Sequence, residues 1–226
     1  EIHLKSSQEW KIKELELMRK SDVSYYFSDI EKDVIKKSDK NINVDVVPLF
    51  IYNDFKERSY NAKQRENIMF VGGFGHGPNA DAVQWFLKDI WPEIQNKLPN
   101  IHFYIIGSKP PKEIQNLANE HITVTGFISD KELSEYYSNC KLVVAPLRYG
   151  AGVKGKIVDA LYHAMPVVTT SVGAEGIHGA SEIMKIADES QTFANEVIEL
   201  YNNQELLERL SKKSLENCKE YFSESY

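Results

Sequence analysis

From residue 67 onward, the chain alternates short apolar runs with longer segments in which apolar residues recur every three or four positions. Uniformly apolar, β-branched runs are typical of strands buried on both faces, and the longer repeat is typical of helices with one buried face. The predicted strands are 67–71, 101–106, 122–125, 141–145, 166–170 and 182–187. The predicted helices are 80–97, 111–119, one capped by Ser129 or Asp130, 154–164, 191–201 and 205–220. This alternation predicts an α/β fold with a doubly wound, Rossmann-like parallel sheet and helices on both faces.

The first 66 residues follow this alternation less regularly. A charged helix, a short apolar strand and a second helix are predicted over 9–20, 23–27 and 28–37. Ser28, with Glu31 three residues later, has the pattern of a capping box. An extended segment, 44–50, is interrupted by Pro48, and 51–66 is polar without an apolar repeat. We therefore predict that 51–66 is a linker between two domains.

Composition narrows the class of protein. With 226 residues and 42% hydrophobic side chains, the chain has enough apolar material for a packed core. Its 27 basic and 33 acidic residues give a net charge of -6, which argues against a nucleic-acid binder. Two cysteines, Cys140 and Cys218, form neither a disulfide framework nor a metal cluster, so we expect a reducing cytoplasm. We also expect no membrane span and no signal peptide within 1–30.

Glycines concentrate where the predicted strands end. Nine of the 12 glycines fall in the loops after the first five strands of the second part, at 72, 73, 75, 77, 107, 126, 150, 152 and 173. Ligands of open parallel sheets bind at this edge, and glycine lets backbone amides approach them. Turn geometry alone accounts for part of the clustering. The restriction of these glycines to one edge of the sheet favours a phosphate-bearing ligand, because the helix N-termini at that edge carry partial positive charge.

Charges at the start of the 154–164 helix point the same way. Lys154 and Lys156 flank Gly155, where a cation opposes the helix dipole unless an anion is bound. Asp159 is ambiguous by position alone, because an acid near a helix start is favourable to the dipole without any ligand. Lys156 is therefore the stronger candidate.

Common nucleotide-binding motifs are absent from the sequence. The loop GGFGHGPN (72–79) is not a dinucleotide fingerprint, because Pro78 stands where the third glycine would fall. No GxxxxGK[ST] match and no Asp-x-Asp occur. The sequence therefore argues against a dinucleotide-dependent oxidoreductase and against a P-loop hydrolase.

Four stretches resemble the donor-binding half of a retaining GT-B glycosyltransferase of the glycosyl transferase group 1 (family 4) type. They are FVGGFGHGPNADAVQWF (70–86), HFYIIGSKP (102–110), ITVTGFISDKELSEYYSNC (122–140) and VVAPLRYGAGVKGKIVDALYHAMPVVTTSVGAEGI (143–177). The last is the most specific, because a turn, a lysine, an acid and Pro-Val-Val follow the family's order.

The resemblance implies a domain plan. Residues 67–226 look like the nucleotide-sugar donor domain, with 205–226 a closing helix that can cross to the partner domain, and 1–50 resemble the end of the acceptor domain. Two complete doubly wound domains exceed 226 residues, so we predict that this chain supplies the donor half and that a missing N-terminal domain or partner chain supplies the rest. The location implied is the cytoplasm, free or peripheral at the inner membrane face.

The resemblance also assigns the substrates. A UDP- or GDP-sugar is the expected donor, and a saccharide, lipid-linked or protein-linked glycan the acceptor, in polysaccharide biosynthesis. Retaining transfer without a metal or other cofactor is implied.

Family roles carry over residue by residue. Asp159 aligns with the second acid of the family's Glu-x7-Glu pair, which implies a ribose contact, whereas the first acid aligns with Ala151. We expect backbone amides of 150–152 to replace that sugar contact. Gly73 and Pro78 occupy the places of the family's usual arginine and lysine.

The diphosphate is thereby assigned to Arg148, Lys154 or Lys156, of which Arg148 and Lys156 are the predicted catalytic residues. Glu175 matches an acid near the ribose or sugar, and Phe127 with Ile128 matches the segment that reads the base. The predicted donor-binding residues are Gly72, Gly73, Phe74, Gly107, Phe127, Ile128, Gly150, Ala151, Gly152, Lys154, Asp159 and Glu175.

Two alternatives share this architecture. A UDP-N-acetylglucosamine 2-epimerase-like enzyme would need catalytic acids in the cleft, and 143–177 looks less like that family. A non-catalytic nucleotide-sugar-binding module is favoured by the uncharged residues Gly73, Pro78 and Ala151 at usually charged places.

Overall fold

The computed structural model describes residues 2–48, 52–55 and 60–224, without the side chains of 2–5 and 7. Residues 49–51 and 56–59, at the end of the predicted acceptor part and in the predicted linker, lie outside the described residues, as do 225 and 226 of the predicted closing helix. The chain forms two compact units, Glu1–Leu49 and Phe50–Tyr226, called unit 1 and unit 2 below. Within the described part, no helix combines the length and apolarity needed to cross a membrane.

Unit 1 is built from two helices and two strands. They are α1 (Ile2–Arg19), β1 (Ser24–Tyr26), α2 (Asp29–Ser38) and β2 (Val44–Val46). The strands pair in parallel, with Ser24 opposite Val44. Ser28 caps α2 as its sequence predicts, because its Oγ accepts the Glu31 N–H at 3.3 Å. A small core contains Met18, Ile35, Ile42 and Val44.

Much of the apolar surface of unit 1 is uncovered. A two-stranded sheet is marginally stable alone, and a small unit has little interior in which to bury side chains. Its exposed large apolar side chains are Trp10, Ile12, Leu17, Tyr25, Phe27, Ile30, Val34 and Val47. In the described part of unit 2 only Phe127 and Tyr149 are comparably exposed.

Unit 2 contains a six-stranded parallel sheet. Its strands are β3 (Glu66–Val71), β4 (Phe103–Ile106), β5 (Ile122–Gly126), β6 (Cys140–Ala145), β7 (Val167–Thr169) and β8 (Lys185–Ile186). Its helices are α3 (Gly77–Trp85), α4 (Trp91–Lys97), α5 (Lys112–Gln115), α6 (Asp130–Asn139), α7 (Gly155–Tyr162), α8 (Ser171–Ala174), α9 (Ala180–Ile183), α10 (Ser190–Asn202) and α11 (Gln204–Tyr221). The predicted α/β class is confirmed.

The strand order β5-β4-β3-β6-β7-β8 determines where a ligand can bind. The chain moves outward from β3 to β5 and then returns to β6 on the other side of β3. With right-handed crossovers, α3 to α5 lie on one face and α6 and α7 on the other. The loops after β3 and β6 therefore diverge and leave a crevice between them, which is the usual ligand position in such sheets.

The predicted 80–97 helix begins earlier and contains an irregular turn. α3 and α4 are joined by a π-helical turn, Phe86–Ile90, in which the Trp91 N–H donates to Phe86 O five residues back. Pro92 follows at once. Proline has no N–H to continue the ladder, so a wider turn before it keeps the helix continuous.

The predicted strand over 182–187 was wrong in its first half. Ala180–Ile183 forms a helical turn after Gly179, whose φ is 62°, and only Lys185–Ile186 joins the sheet. The left-handed glycine begins a new turn after α8, a local event that apolar spacing does not report. Part of the predicted linker also belongs to unit 2, where Tyr52 bridges to Ser223.

Candidate functional site

A cavity of about 210 Å³ lies where the loops after β3 and β6 diverge. Residues from both loops and from the first turns of α3 and α7 line it: His76, Pro78, Asn79, Leu147, Ala151, Val153, Lys154, Gly155 and Lys156. The sequence predicted a ligand at this edge of the sheet, and we call this the rim cavity.

Two helices begin at the rim cavity. α3 is preceded by His76 and α7 by Lys154, and neither residue caps its helix with a side-chain hydrogen bond. Gly77 offers an N–H at the start of α3, where Pro78 has none and the Asn79 N–H donates to His76 O, and Gly155 and Lys156 offer theirs at the start of α7. The helix dipoles add positive potential. Such paired N-termini suit an anion.

Lys156 extends from the first turn of α7 toward β3. Its Nζ donates to Asn79 Oδ1 and lies 4.7 Å from the centre of the Phe70 ring. No carboxylate of the described residues lies within ion-pair distance of Nζ. Burial, and then repulsion from Lys154, lower the pKa of Lys156 to about 7. An anion in the cavity would stabilise the charged form of Lys156 and so raise its pKa again.

Glycine is required beneath this lysine. A Cβ on Gly72 would lie 2.8 Å from Lys156 Nζ and from Asn79 Cγ, and one on Gly107 would lie 1.9 Å from Gly72 O. The loops after β3 and β4 therefore touch backbone to backbone, and the Phe74 N–H donates to Ser108 O at 2.9 Å. The role of these loops as a backbone cradle for a ligand stays a prediction.

The second predicted lysine is already paired. Lys154 Nζ lies 3.2 Å from Glu175 Oε2 and also donates to Gly152 O. The structure thus brings together three predicted site residues, but it leaves Lys154 with less charge to offer than Lys156.

Arg148 does not join this group. Its guanidinium forms a two-pronged ion pair with Asp81, with Nε to Oδ2 at 2.9 Å, and the pKa of Arg148 is raised chiefly by that hydrogen bond. It is not among the residues that line the rim cavity. The side chain predicted to share the diphosphate with Lys156 is therefore bound to a neighbouring acid on α3.

Asp159 belongs to a different cluster. Its carboxylate accepts the hydroxyls of Tyr137 at 2.8 Å and Tyr52 at 3.4 Å, and it lies 3.8 Å from His163 Nε2. Tyr137 is 1% exposed and stacks on His163 at 4.2 Å. Asp159 does not line the rim cavity, so its predicted ribose contact remains a prediction.

The other predicted residues differ in exposure, and among them only Ala151 is one of the residues that line the rim cavity. Phe127, after β5, is 81% exposed, as a base-stacking surface would require. Gly150 and Gly152 have φ of 123° and 75°, conformations that favour glycine, with the predicted sugar-facing Ala151 between them. The neighbouring Ile128 and the buried Phe74 complete the predicted set.

Sequence reasoning missed two groups. Asn79, 5% exposed, and the tyrosine pair Tyr52 and Tyr137 were not predicted to matter. An asparagine beside Pro78 has the pattern of an ordinary helix start. Tyr52 and Tyr137 lie 107 and 22 residues from Asp159 in the sequence, so local spacing does not predict that they bind it.

Larger depressions occur elsewhere in unit 2. One of about 400 Å³ lies at the opposite edge of the sheet, among residues that include Glu66, Asn67 and Lys141 at the strand beginnings. Arg65 lines this depression and donates to the carbonyl of Cys140, the C-cap residue of α6, at 3.1 Å. Volume alone therefore does not select a candidate site, and we place the candidate at the rim cavity because of its ammonium without a carboxylate partner among the described residues and its two helix N-termini.

The strand order and the helices around it define a doubly wound α/β domain, with the rim cavity at the carboxyl edge of its sheet. The chain belongs to the glycosyl transferases group 1, whose family model matches residues 65–203. The family predicted from the sequence is confirmed.

Known proteins resemble the chain over about half their own length. An uncharacterized 44.6 kDa protein in the cps region of Klebsiella pneumoniae is 30% identical over a match of 188 residues that covers 77% of this chain and 46% of that protein. TarM has a TM-score of 0.76 at 16% identity, over 94% of this chain and 43% of TarM. Sucrose-phosphate synthase from Thermosynechococcus elongatus has a TM-score of 0.75 at 16% identity, over 93% and 56% of the two chains. These structures share the GT-B type of fold with the chain.

Proposed function

We propose that the chain is the nucleotide-sugar-binding half of an enzyme that transfers a sugar to a glycan acceptor. The observation that carries the proposal is Lys156, a partly buried ammonium with no carboxylate partner among the described residues, in a cavity where α3 and α7 begin. A buried cation is costly unless an anion offsets it, and a diphosphate supplies one.

The same geometry suits the chemical step. When the bond from the sugar's anomeric carbon to the diphosphate breaks, negative charge accumulates on the leaving diphosphate. We propose that this charge meets the Lys156 ammonium and the backbone N–H groups of Gly77, Gly155 and Lys156, which the fold holds at the cavity before a ligand binds. Because these groups balance the charge, we propose transfer without a divalent metal; chelator-insensitive transfer would support it.

The donor nucleotide is proposed from the neighbours. The Staphylococcus aureus TarM mutant and the pneumococcal O-GlcNAc transferase GtfA were crystallised with UDP, which makes UDP the first ligand to test and GDP the second. Exposed Phe127 is proposed to stack on the base, with Gly150 to Gly152 near the sugar.

The acceptor side is proposed to come from a partner domain or chain. Another structural neighbour is a GtfA/B complex, and the exposed apolar side chains of unit 1 indicate surface that its own elements do not cover. The cps-region relative supports a role in polysaccharide biosynthesis, which we place in the cytoplasm or at the inner membrane face. Retention of anomeric configuration, implied by family resemblance, is checked by NMR of the product.

Calorimetric titration tests donor binding. UDP, GDP and their sugars are titrated into the chain, Lys156→Met and the matched control Lys131→Met, whose lysine is exposed on α6. We expect Lys156→Met to weaken binding about tenfold or more and the control to leave it unchanged. If none of these ligands binds the parent at millimolar concentration, the donor-half proposal fails.

A binding-only module is the second candidate. It is favoured by Gly73, Pro78 and Ala151 and by the engagement of Arg148 with Asp81. Donor binding without sugar transfer or donor hydrolysis, measured with the intact partner domain present, would support it.

A further inference from the structure

Asn79 joins the two halves of the rim cavity. It lies in the first turn of α3 and is 5% exposed. Its Nδ2 donates to Gly73 O at 2.7 Å, while its Oδ1 accepts from Lys156 Nζ on α7. One side chain thus connects the loop after β3 to the helix after β6.

The orientation of this amide is determined by its neighbours. An ammonium can only donate and a backbone carbonyl can only accept, so the oxygen faces Lys156 and the nitrogen faces Gly73. The backbone N–H of Asn79 donates to His76 O at 3.1 Å, which fixes the residue from a third side. A Cβ on Gly72 would lie 2.8 Å from Asn79 Cγ, so the amide packs directly against the backbone of Gly72.

An amide suits this position for a chemical reason. A carboxylate would hold the ammonium as well, but it would also neutralise the charge that an incoming diphosphate needs. An amide oxygen accepts one of the three N–H bonds, and the Phe70 ring, 4.7 Å away, meets the ammonium from another side. The remaining donors stay available to a ligand.

We infer that Asn79 is a positioning residue that holds the Lys156 ammonium at the rim cavity without neutralising it. The inference rests on the proposed binding of a nucleoside diphosphate at this cavity. It gives Asn79 a role through Lys156, not through contact with the ligand.

Titration of Lys156 by NMR tests the inference without any nucleotide. Lysine side chains are labelled, and Lys156→Met identifies the resonance in the parent, Asn79→Ala and Asn79→Asp. In Asn79→Ala a buried ammonium without an acceptor is costly, so we expect the side chain to move into water and its midpoint to rise above about 7. In Asn79→Asp the carboxylate favours the charged form, and the midpoint rises as well. Parent-like midpoints in both variants would overturn the inference; if Asn79→Ala does not fold, the isosteric Asn79→Asp decides.

Nucleotide affinity separates positioning from a merely structural role. At neutral pH we expect UDP or GDP binding to weaken about tenfold in Asn79→Ala and about a hundredfold in Asn79→Asp, where the charge is cancelled. Asn195→Ala, an exposed asparagine on α10, serves as the control. Equal losses in both variants that follow thermal stability would contradict the inference. If the parent binds no nucleotide, the proposed function fails while the titration of Lys156 still decides the role of Asn79.

Discussion

Two regions of α7, less than one turn apart, differ in how completely their charges are satisfied. At its start, Lys156 meets an amide oxygen and an aromatic ring and retains donors for a ligand. Three residues on, Asp159 accepts two tyrosine hydroxyls and approaches His163. Lys156 thus keeps donors for a ligand, whereas the Asp159 carboxylate is already engaged by side chains of the protein. The family motif contains both residues and does not report this difference.

The Asp159 cluster also fixes the chain just after the boundary between the units. Tyr52 stacks on Tyr162 at 3.8 Å, and its N–H donates to Phe222 O at 2.8 Å. Tyr162 in turn donates to Asp54 O at 2.8 Å. Residues 52–55 are thereby held against α7, the helix that also presents Lys156.

The largest expected effect is the pH dependence of stability that comes from Lys156. Its folded-state pKa, about 7, lies below the ordinary value near 10.5, so between these values the unfolded chain binds more protons. The free energy of unfolding should therefore rise with pH across that window, by at most about 1.4 kcal/mol per pH unit. Denaturant unfolding at a series of pH values measures the slope.

Lys156→Met isolates this contribution. Burial raises the pKa of the Cys140 thiol to about 12, which lowers stability above the ordinary thiol pKa and opposes the lysine. Because Cys140 is present in both proteins, its effect cancels in their difference. A difference that does not change between pH 7 and 10 would show that Lys156 is not buried as described.

The next effect should appear in the Asp159 cluster. Asp159→Ala leaves the hydroxyl of Tyr137, which is 1% exposed, without its acceptor, and we expect a loss of about 2–3 kcal/mol in unfolding free energy. Asp159→Asn keeps one acceptor oxygen and should lose about 1 kcal/mol. Glu135→Ala, on an exposed face of α6, is the control. Unchanged stability with lost nucleotide affinity would instead support the predicted ribose contact.

A smaller effect is expected from Gly72→Ala. Its Cβ would press on Lys156 Nζ and Asn79 Cγ at 2.8 Å, and we expect UDP or GDP affinity to fall about tenfold. Gly75→Ala is a matched control three residues along the same loop, since a Cβ there meets nothing within 4 Å. Calorimetry on both variants makes the comparison, and equal affinities would show that the ammonium lies elsewhere when ligand binds.

The fold was largely predictable because its signals are local. Buried parallel strands are apolar throughout, so β3, β4, β5 and β6 could be placed from short runs. Of the two predicted caps, Ser129 begins α6, where it forms a capping box with Glu132. The strand prediction over 182–187 was wrong in its first half. β8 has only two residues, and Gly179, with its left-handed backbone conformation, begins a helical turn before it. Apolar periodicity does not encode either fact.

The candidate site was predictable only in its components. Glycine loops and a lysine opposed to a helix dipole pointed to the rim cavity, but which cation is free depends on pairing across long sequence separations. Asp81 lies 67 residues from Arg148 and Asn79 lies 77 residues from Lys156. Nothing in local spacing reports such partners, so the sequence placed Arg148 beside Lys156 and could not show that Arg148 is paired with Asp81.

The smallest effect is expected from the cation that sequence reasoning ranked beside Lys156. Arg148 is about half exposed and paired with Asp81, and exposed ion pairs contribute roughly 0–1 kcal/mol. Arg148→Ala should therefore change nucleotide affinity less than about threefold, because its charge is engaged outside the rim cavity. Asp81→Ala sharpens the measurement by freeing the guanidinium, and nucleotide affinity that rises in this variant would mean that Arg148 can reach the diphosphate once released. A tenfold loss in Arg148→Ala alone would mean that ligand binding breaks the Asp81 pair, and the contrast between free and engaged cations would then not hold in the bound state.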